Sequence, residues 1–562
     1  MSSFVAALKL IVGNARVLTD SNATRPYRTG FRYGTGVVLA VVSPRSLVEL
    51  WRVLQACTTA NKIVIVQAAN TGLTGGSTPA GDDYDREVVI VNTMSLAKLY
   101  VIDQGRQVIC LPGTTLYQLE QALEPFGREP HSVIGSSCIG ASVLGGISNN
   151  SGGALLQRGP AFTQMALFAR VTANGELQLV NHLGVSLGQD AEQMLARLDR
   201  GEFNAEDIEH DSNRWGSDRD YARRLREIDS DVPARFNANP ERLFEASGCA
   251  GKVVVFAARL DTFAKEPSTR VFYIGTQDPA ELTDIRRHML SRFQNLPVAG
   301  EYMHRDMFDV ADTYGKDAFL IIHHLGTRRL PALMNLKRRF DDLVSRLGLA
   351  GCGASDVLLQ RLSGLFPNHL PVRMRAWRDR FEHHLILKMA GDGIQEAADY
   401  LSARFPSSTG DVFECTEEEA EKAFLHRFVA AGAAIRYRAM HRQEVEDIVA
   451  LDVALRRNDP HWFEAPPSDI RDRIHLALYY GHFFCHVFHQ DYLVRKGANA
   501  PALEHRLLRW FDERGAECPA EHNVGHLYPA KPALAEFYRA LDPCNQFNPG
   551  IGQTSKRARW QT

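Results

Sequence analysis

The order strand, helix, strand near the start of the chain predicts an α+β fold of more than one domain. Three observations carry the prediction. Apolar, β-branched runs stand at VVLAVVS (37–43), IVIVQA (63–68) and EVVIVNT (87–93), each bounded by turn residues. Between the first two, SLVELWRVLQACTTANK (46–62) spaces its apolar residues as a helix does. The length of 562 residues exceeds what one core organises, and at about 150 residues per domain it predicts several.

The composition excludes whole classes. With 64 Lys+Arg against 66 Asp+Glu the net charge is −2, so the chain as a whole is no nucleic-acid binder. Hydrophobic residues at 45% and charged residues at 23% predict a soluble globular protein, not a disordered one. Nine cysteines with no CxxC pair argue against a disulfide framework or a zinc ribbon and for a reducing compartment. MSSFVAALKLIVGNARVL lacks the basic n-region of a secretory signal, so none is expected. The richest apolar window, Ile474 to Phe488, carries three His and is too short to span a bilayer.

Further along, residues 181–245 are polar and charge-mixed, which predicts surface helices and loops away from the chemistry. Between Leu325 and Arg380 stand eleven Lys/Arg and four Asp/Glu, an excess of seven, interleaved with Leu330, Leu333, Met334, Phe340, Phe366 and Trp377. That pattern fits a solvated basic face, or a surface drawn to anionic lipid headgroups. GDVFEC (410–415) and AAIRYRA (433–439) are expected as strands, and the tail SKRARW (555–560) is again basic.

Two glycine-rich stretches point to chemistry: QAANTGLTGGSTPAG (67–81), directly after a strand, and HSVIGSSCIGASVLGGISNNSGGALLQRG (131–159). Neither is a GxGxxG opening a helix and neither contains GK[ST], so a Rossmann site has little support and a P-loop is excluded. Repeated Gly, Ser, Thr and Asn let backbone N–H groups close on a phosphate, and two such stretches suggest a pyrophosphate cradle.

Here the sequence resembles a known family. VVLAVVSP, a helix, QAANTGLTGGSTP, LPGTTLYQLEQALEPFG and GASVLGGISNNSGG follow one another as in the flavin domain of the vanillyl-alcohol-oxidase-like flavoproteins. AEHNVGHLY (520–528) and DPCNQFNPG (542–550) are similar to closing motifs of the 2-hydroxy-acid branch. REPHSVIGSSCIGASV, FEHHLILKMAGDG, KAFLHRFVAAGAAIRY and YYGHFFCHVFHQDY extend the resemblance nearly end to end, to the bacterial respiratory, quinone-dependent D-lactate dehydrogenases.

The resemblance implies FAD held non-covalently. Ala68, Ala69, Asn70, Thr71 and Gly72, with Gly76 and Ser77, match the first pyrophosphate loop; Gly135, Ser142 and Gly152 match contacts from the second stretch, and Val255 a strand position at the adenine end. Covalent members use a His or Cys near the first loop, where this chain has none; Cys138 in the second stretch is the residue that could upset this. Arg427 in FLHRF and Arg436 in AIRY fall where related dehydrogenases place basic substrate-binding residues, and Arg meets a carboxylate bidentately. Glu521 and His522 match a Glu-His pair in which the His is the base and the Glu a metal ligand.

A divalent metal on His482, His489 and Glu521 is the least supported implication. The two His have the seven-residue spacing of the zinc-dependent relatives' GHxGDGNxH, but GHFFCHVFH lacks the turn-forming GDGN. On an uninterrupted strand residues seven apart face opposite ways, so without a bend these His face substrate or serve the structure.

The expected enzyme is a peripheral flavoprotein on the cytoplasmic face of the bacterial inner membrane. It would oxidise D-lactate to pyruvate by hydride transfer to FAD and pass the electrons to membrane quinone. An FAD-binding domain (1–260, closed by 515–562), an α+β cap (261–304 and 383–514) and a basic insertion docking on an anionic lipid surface (305–382) would share the work. The alternatives are a soluble FAD-dependent dehydrogenase or oxidase of another D-2-hydroxy acid such as 2-hydroxyglutarate, and a lipid-binding protein with vestigial flavin loops.

Overall fold

The computed structural model describes residues 3–131, 140–210, 213–326, 359–361, 363 and 366–561. Among these the strands form sheets of four, five and seven, plus a two-stranded pair, with helices packed on the faces. The fold is α+β.

The first sheet runs Val17–Leu18, Ala40–Val42, Val88–Asn92, Ile63–Gln67 in space, the last three parallel. Strands buried on both faces read as unbroken Val/Ile runs, which is why IVIV and VVIV were legible. The crossover helix Leu47–Thr59 starts where Ser46 Oγ accepts the Glu49 N–H at 3.1 Å and buries Leu47, Leu50, Trp51, Val53, Leu54 and Cys57. The run expected at 37–43 shortens to Ala40–Val42. Gly36 crosses the Gly81 carbonyl so closely that a Cβ would lie 2.3 Å from it, and this crossing holds Val37 out of the sheet.

The second sheet, Leu99–Ile102, Gln107–Cys110, Val254–Asp261, Ala166–Val171, Leu177–Asn181, is antiparallel throughout, with a register shift between Val255 and Ala257. The cap sheet is antiparallel and runs Gly410–Glu414, Thr269–Thr276, His383–Ala390, Ala299–His304, Ile474–His482, Val487–Arg495, Val445–Ala454. One face packs on the helices Pro279–Arg292, Gly393–Arg404 and Ala500–Glu513. The other packs on Arg305–Tyr314, Lys316–Leu325 and Glu417–Met440.

Residues 433–439 are not a strand. They continue the helix Glu417–Met440, which opens on a capping box: Thr416 Oγ1 accepts the Glu419 N–H at 3.2 Å and Glu419 Oε2 accepts the Thr416 N–H at 2.9 Å. The short IRYR alternation is overruled by Ala423, Ala430, Ala433 and Ala434, good helix formers buried along one side.

After the cap the chain returns to the first domain. Val64 N donates to Gln546 O at 3.1 Å and Asn548 N to Val64 O at 2.9 Å, so DPCNQFNPG lies along the edge strand Ile63–Gln67. Asn548 Nδ2 donates to both Gly76 O and Ala250 O at 2.8 Å. Lys252, fully buried, donates to Asn545 Oδ1 at 2.6 Å beneath the Trp560 ring, 4.3 Å away. The basic tail is thereby a strap on the glycine loop, with Lys556 Nζ 2.7 Å from Ala80 O.

Behind the cap sheet Glu464 is buried, accepting from Tyr492 Oη at 2.5 Å and Gln490 Nε2 at 3.0 Å. Burial raises its carboxyl from 4.5 to about 7, against these hydrogen bonds. Between those values the unfolded chain ionises and the fold does not, so stability falls as pH rises through this window and levels off above it. Glu464→Gln should raise the thermal midpoint above pH 7, by at most about 3 kcal/mol of stability, and change little near pH 4.5. Equal gains at both pH values in calorimetry would assign the effect to packing.

Candidate functional site

The loop leaving Ile63–Gln67 is stiffened by its own amides. Asn70, in the left-handed region at φ 53, donates from Nδ2 to Thr29 O at 2.9 Å and accepts from Ser77 Oγ at 3.0 Å. Gln67 Nε2 donates to Tyr27 O at 2.7 Å and Ser77 O at 2.8 Å, and Asn92 Nδ2 reaches Ala68 O at 3.2 Å. Ala68, Ala69, Asn70 and Thr71 are half-buried, Gly72 is exposed, and a Cβ on Gly72 would meet no protein atom within 4 Å. The loop therefore offers backbone to an open face, as a pyrophosphate requires.

Gly76 lies against the other two segments, its would-be Cβ 3.7 Å from Gly525 Cα and 3.8 Å from Asn149 Oδ1. Ser142 caps the short helix Val143–Ser148, its Oγ accepting the Gly145 N–H at 3.1 Å. Val255 is buried in the second sheet, and Gly135 and Cys138 lie outside the described residues. At Gly152 a Cβ would fall 2.5 Å from Glu521 Cδ, so only glycine lets the second stretch approach the C-terminal Glu-His pair.

The two histidines of GHFFCHVFH do meet. A 3-10 turn, Phe483–Cys485, followed by His486 at φ 52, folds the chain back, and Tyr480 rather than His482 faces His489 in the register. His482 Nε2 and His489 Nε2 are 3.4 Å apart. FFCH supplies the bend that GDGN would have supplied.

Around them the carboxylates converge. His482 Nδ1 is 2.6 Å from Glu301 Oε1, and its Nε2 is 3.7 Å from Glu521 Oε1. His489 Nδ1 contacts Asp452 Oδ1, and His522 Nε2 lies 3.4 Å from Asp452 Oδ2. Arg427 Nε is 2.9 Å from Glu301 Oε2, too poorly aligned for a directional hydrogen bond, so this pair is held by charge. Its guanidinium also covers the Tyr480 ring at 4.6 Å. Arg235 Nη2 grips Glu521 Oε1, with both side chains 3–4% exposed. Arg436, nine residues from Arg427 and hence on the opposite side of the helix, instead pairs with Asp317.

Burial alone would raise Glu301, but His482 and Arg427 outweigh it and pull the carboxyl to about 2. Asp452 is likewise held well below the carboxylate range, burial being overcome by His489, His522 and Arg32. Burial lowers His482 despite Glu301, whereas for His489 Asp452 overcomes burial and raises it.

The residues do not fit a resident metal. His482, His489 and Glu521 converge, but the Glu521 oxygen nearest His482 is taken by Arg235. Among the described residues no three ligating side chains are arranged to hold an ion.

Comparison with known proteins fits this geometry. Residues 271–560 match the family described as "D-lactate dehydrogenase, membrane binding", and residues 38–181 an FAD binding domain. The chain is 58% identical over 559 residues to the quinone-dependent D-lactate dehydrogenase of Escherichia coli (strain K12), covering 100% of this chain and 98% of that one. The chain belongs to this family. It is 47% identical to the Corynebacterium glutamicum quinone-dependent D-lactate dehydrogenase over 562 residues, 99% of this chain and 97% of that one. Against the mitochondrial D-2-hydroxyglutarate dehydrogenase of Arabidopsis thaliana the likeness is 29% over 180 residues, 31% of each chain. The fold is that of p-cresol methylhydroxylase (TM-score 0.60, 13% identity, 98% and 96% of the chains covered).

Sequence reasoning missed Glu301, Asp452 and Arg235. Glu301 in VAGEYMH and Asp452 in IVALDVAL are lone acids in apolar strand runs, a readable signal. Arg235 carried none: it belongs to the polar 181–245 segment, which was expected away from the chemistry. The structure corrects that expectation, because this segment packs Arg235 on Glu521 and Asn237 Nδ2 on His522 O at 2.6 Å.

Since a Cβ at Gly72 meets open space, Gly72→Val should fold with an unchanged thermal midpoint in the flavin-free state yet purify with little flavin. Absorbance near 450 nm per chain, a property of the cofactor, checks this; full occupancy would remove the loop from the flavin site.

Proposed function

We propose that this chain oxidises D-lactate to pyruvate with FAD as hydride acceptor and membrane quinone as the final acceptor. The observation that carries the reading is the His522–Asp452 pair, with the adjoining Glu521 set against Gly152 of the second glycine stretch. Ala68–Gly72, Gly76, Ser77, Ser142, Gly152 and Val255 would hold FAD, which supplies the hydride acceptor when bound.

His522, about one-third exposed, is the reachable imidazole and takes the hydroxyl proton of the substrate. Asp452, fixed from its other oxygen by His489, keeps that ring oriented and favours the imidazolium that forms. Arg427 supplies the cation for the substrate carboxylate; we assign this role to it rather than Arg436 because it shares the cluster with Glu301 and His482. His522→Ala should lower turnover by roughly 10²–10⁴-fold while flavin stays bound. Unchanged D-lactate oxidation would leave His522 a structural residue.

Membrane docking falls to residues 305–382, between a cap of 261–304 with 383–514 and a flavin domain of 1–260 closed by 515–562. No helix among the described residues is long and apolar enough to cross a membrane. Arg373, Arg378 and Arg380 are engaged with Glu419, Asp309 and Asp411. Exposed Phe366 and Val372 lie beside them, at 56% and 74%. The charge available for anionic lipid thus concentrates in Arg328, Arg329, Lys337, Arg338 and Arg339, which lie outside the described residues, at about 1 kcal/mol each near the surface. The described cysteines are all unpaired, which supports the reducing, cytoplasmic face of the inner membrane. Neutralising those five residues should reduce sedimentation with anionic vesicles and quinone-linked turnover, and spare turnover with a water-soluble acceptor. Equal sedimentation of both proteins would return the region to an ordinary solvated face.

A further inference from the structure

We propose that Arg235 is the resident cation of this site, standing on Glu521 where a divalent ion would otherwise be held, and that it makes the centre independent of metal. The proposal rests on reading the cluster as the acid–base centre, and it concerns which cation holds that cluster together.

The donors of a metal site are nearly all present. Two imidazole Nε2 atoms stand 3.4 Å apart, a carboxylate oxygen lies 3.7 Å from one of them, and each imidazole has a carboxylate on its other nitrogen. That last feature is the usual backing of metal-bound histidines, so it does not argue against an ion. What decides is the fourth partner. Arg235 reaches Glu521 Oε1 from the segment after Pro233, with its guanidinium buried and further placed by the Tyr221 hydroxyl at 3.4 Å.

Charge points the same way. Glu301, Asp452 and Glu521 bring three negative charges, and Arg427 and Arg235 return two. Arg32 acts on Asp452 as a third, so a divalent ion added to these guanidiniums would leave a positive surplus. In a buried site that surplus is strongly unfavourable. A guanidinium also differs from an ion in kind: it is fixed by the chain, keeps its charge at any working pH and cannot be lost to a chelator.

Metal content and thermal stability test this separately from turnover. Wild-type holoenzyme dialysed against EDTA should keep its flavin, midpoint and D-lactate oxidation, and Zn2+ or Mn2+ should not bind stoichiometrically in calorimetry. Arg235→Leu should acquire one Zn2+ or Mn2+ per chain by elemental analysis and gain thermal midpoint on adding the ion. Arg235→Leu with Glu521→Gln should lose that uptake, and Arg235→Lys should stay metal-free. Loss of wild-type activity on chelation with recovery on metal would overturn the proposal, as would soluble Arg235→Leu that takes up no ion. Should Arg235→Leu not fold, the wild-type chelation and titration arms decide alone. Failure of the D-lactate reading would appear instead as absent turnover in an untreated, flavin-loaded protein, with the metal results unaffected.

Discussion

Two buried carboxylates, Glu301 and Glu521, with the half-buried Asp452 beside them set the constraint that the rest of the site obeys. An ionised carboxylate out of water is tolerated only beside a cation and with its oxygens hydrogen-bonded. Glu301 meets Arg427 and His482, Asp452 meets His489 and His522, and Glu521 meets Arg235. These partners come from different elements: a helix for Arg427, the hairpin for His482 and His489, the C-terminal segment for His522 and an irregular segment for Arg235. Pairing these carboxylates therefore brings four distant stretches of chain together.

The C-terminal return is the mechanical counterpart. Glu521 and His522 leave the cap, and the chain then crosses the first glycine loop: Thr74 Oγ1 donates to Asn523 O at 2.8 Å and His526 N donates to Thr74 O at 2.9 Å. Gly525, at φ 55, sits so close to Thr74 that a Cβ would lie 2.1 Å from its carbonyl. The segment carrying Glu521 and His522 is thus fixed directly to the first glycine loop. The first glycine loop and the C-terminal segment are one packed unit.

Much of this was legible in the sequence and the remainder was not, for definite reasons. The parallel strands were readable because burial on both faces leaves unbroken Val/Ile runs. The close approach at Gly152 was readable because only glycine fits there beside Glu521. Residues 433–439 misled because a four-residue alternation cannot show the capping box seventeen residues upstream that starts the helix. Arg235 was invisible since its partner is 286 residues away in the chain. Spacing rules describe one element at a time, and an ion pair between domains has no spacing.

The hairpin shows how one geometry can be reached by different local chemistry. Antiparallel register alone would set Tyr480 opposite His489 and His482 opposite Val487. The imidazoles meet because His482 ends its strand and turns out of the pleat, at φ −86 and ψ 89, as the 3-10 turn begins. Phe483, Phe484 and Cys485 are all fully buried, so the turn is anchored by the cap core and not by glycine permissiveness. A glycine-rich turn would place the same two nitrogens with a flexible backbone that a bound ion could then order. A turn bolted into the core needs no ion to order it, and in this chain the third corner of the site is filled by a guanidinium that the fold itself delivers.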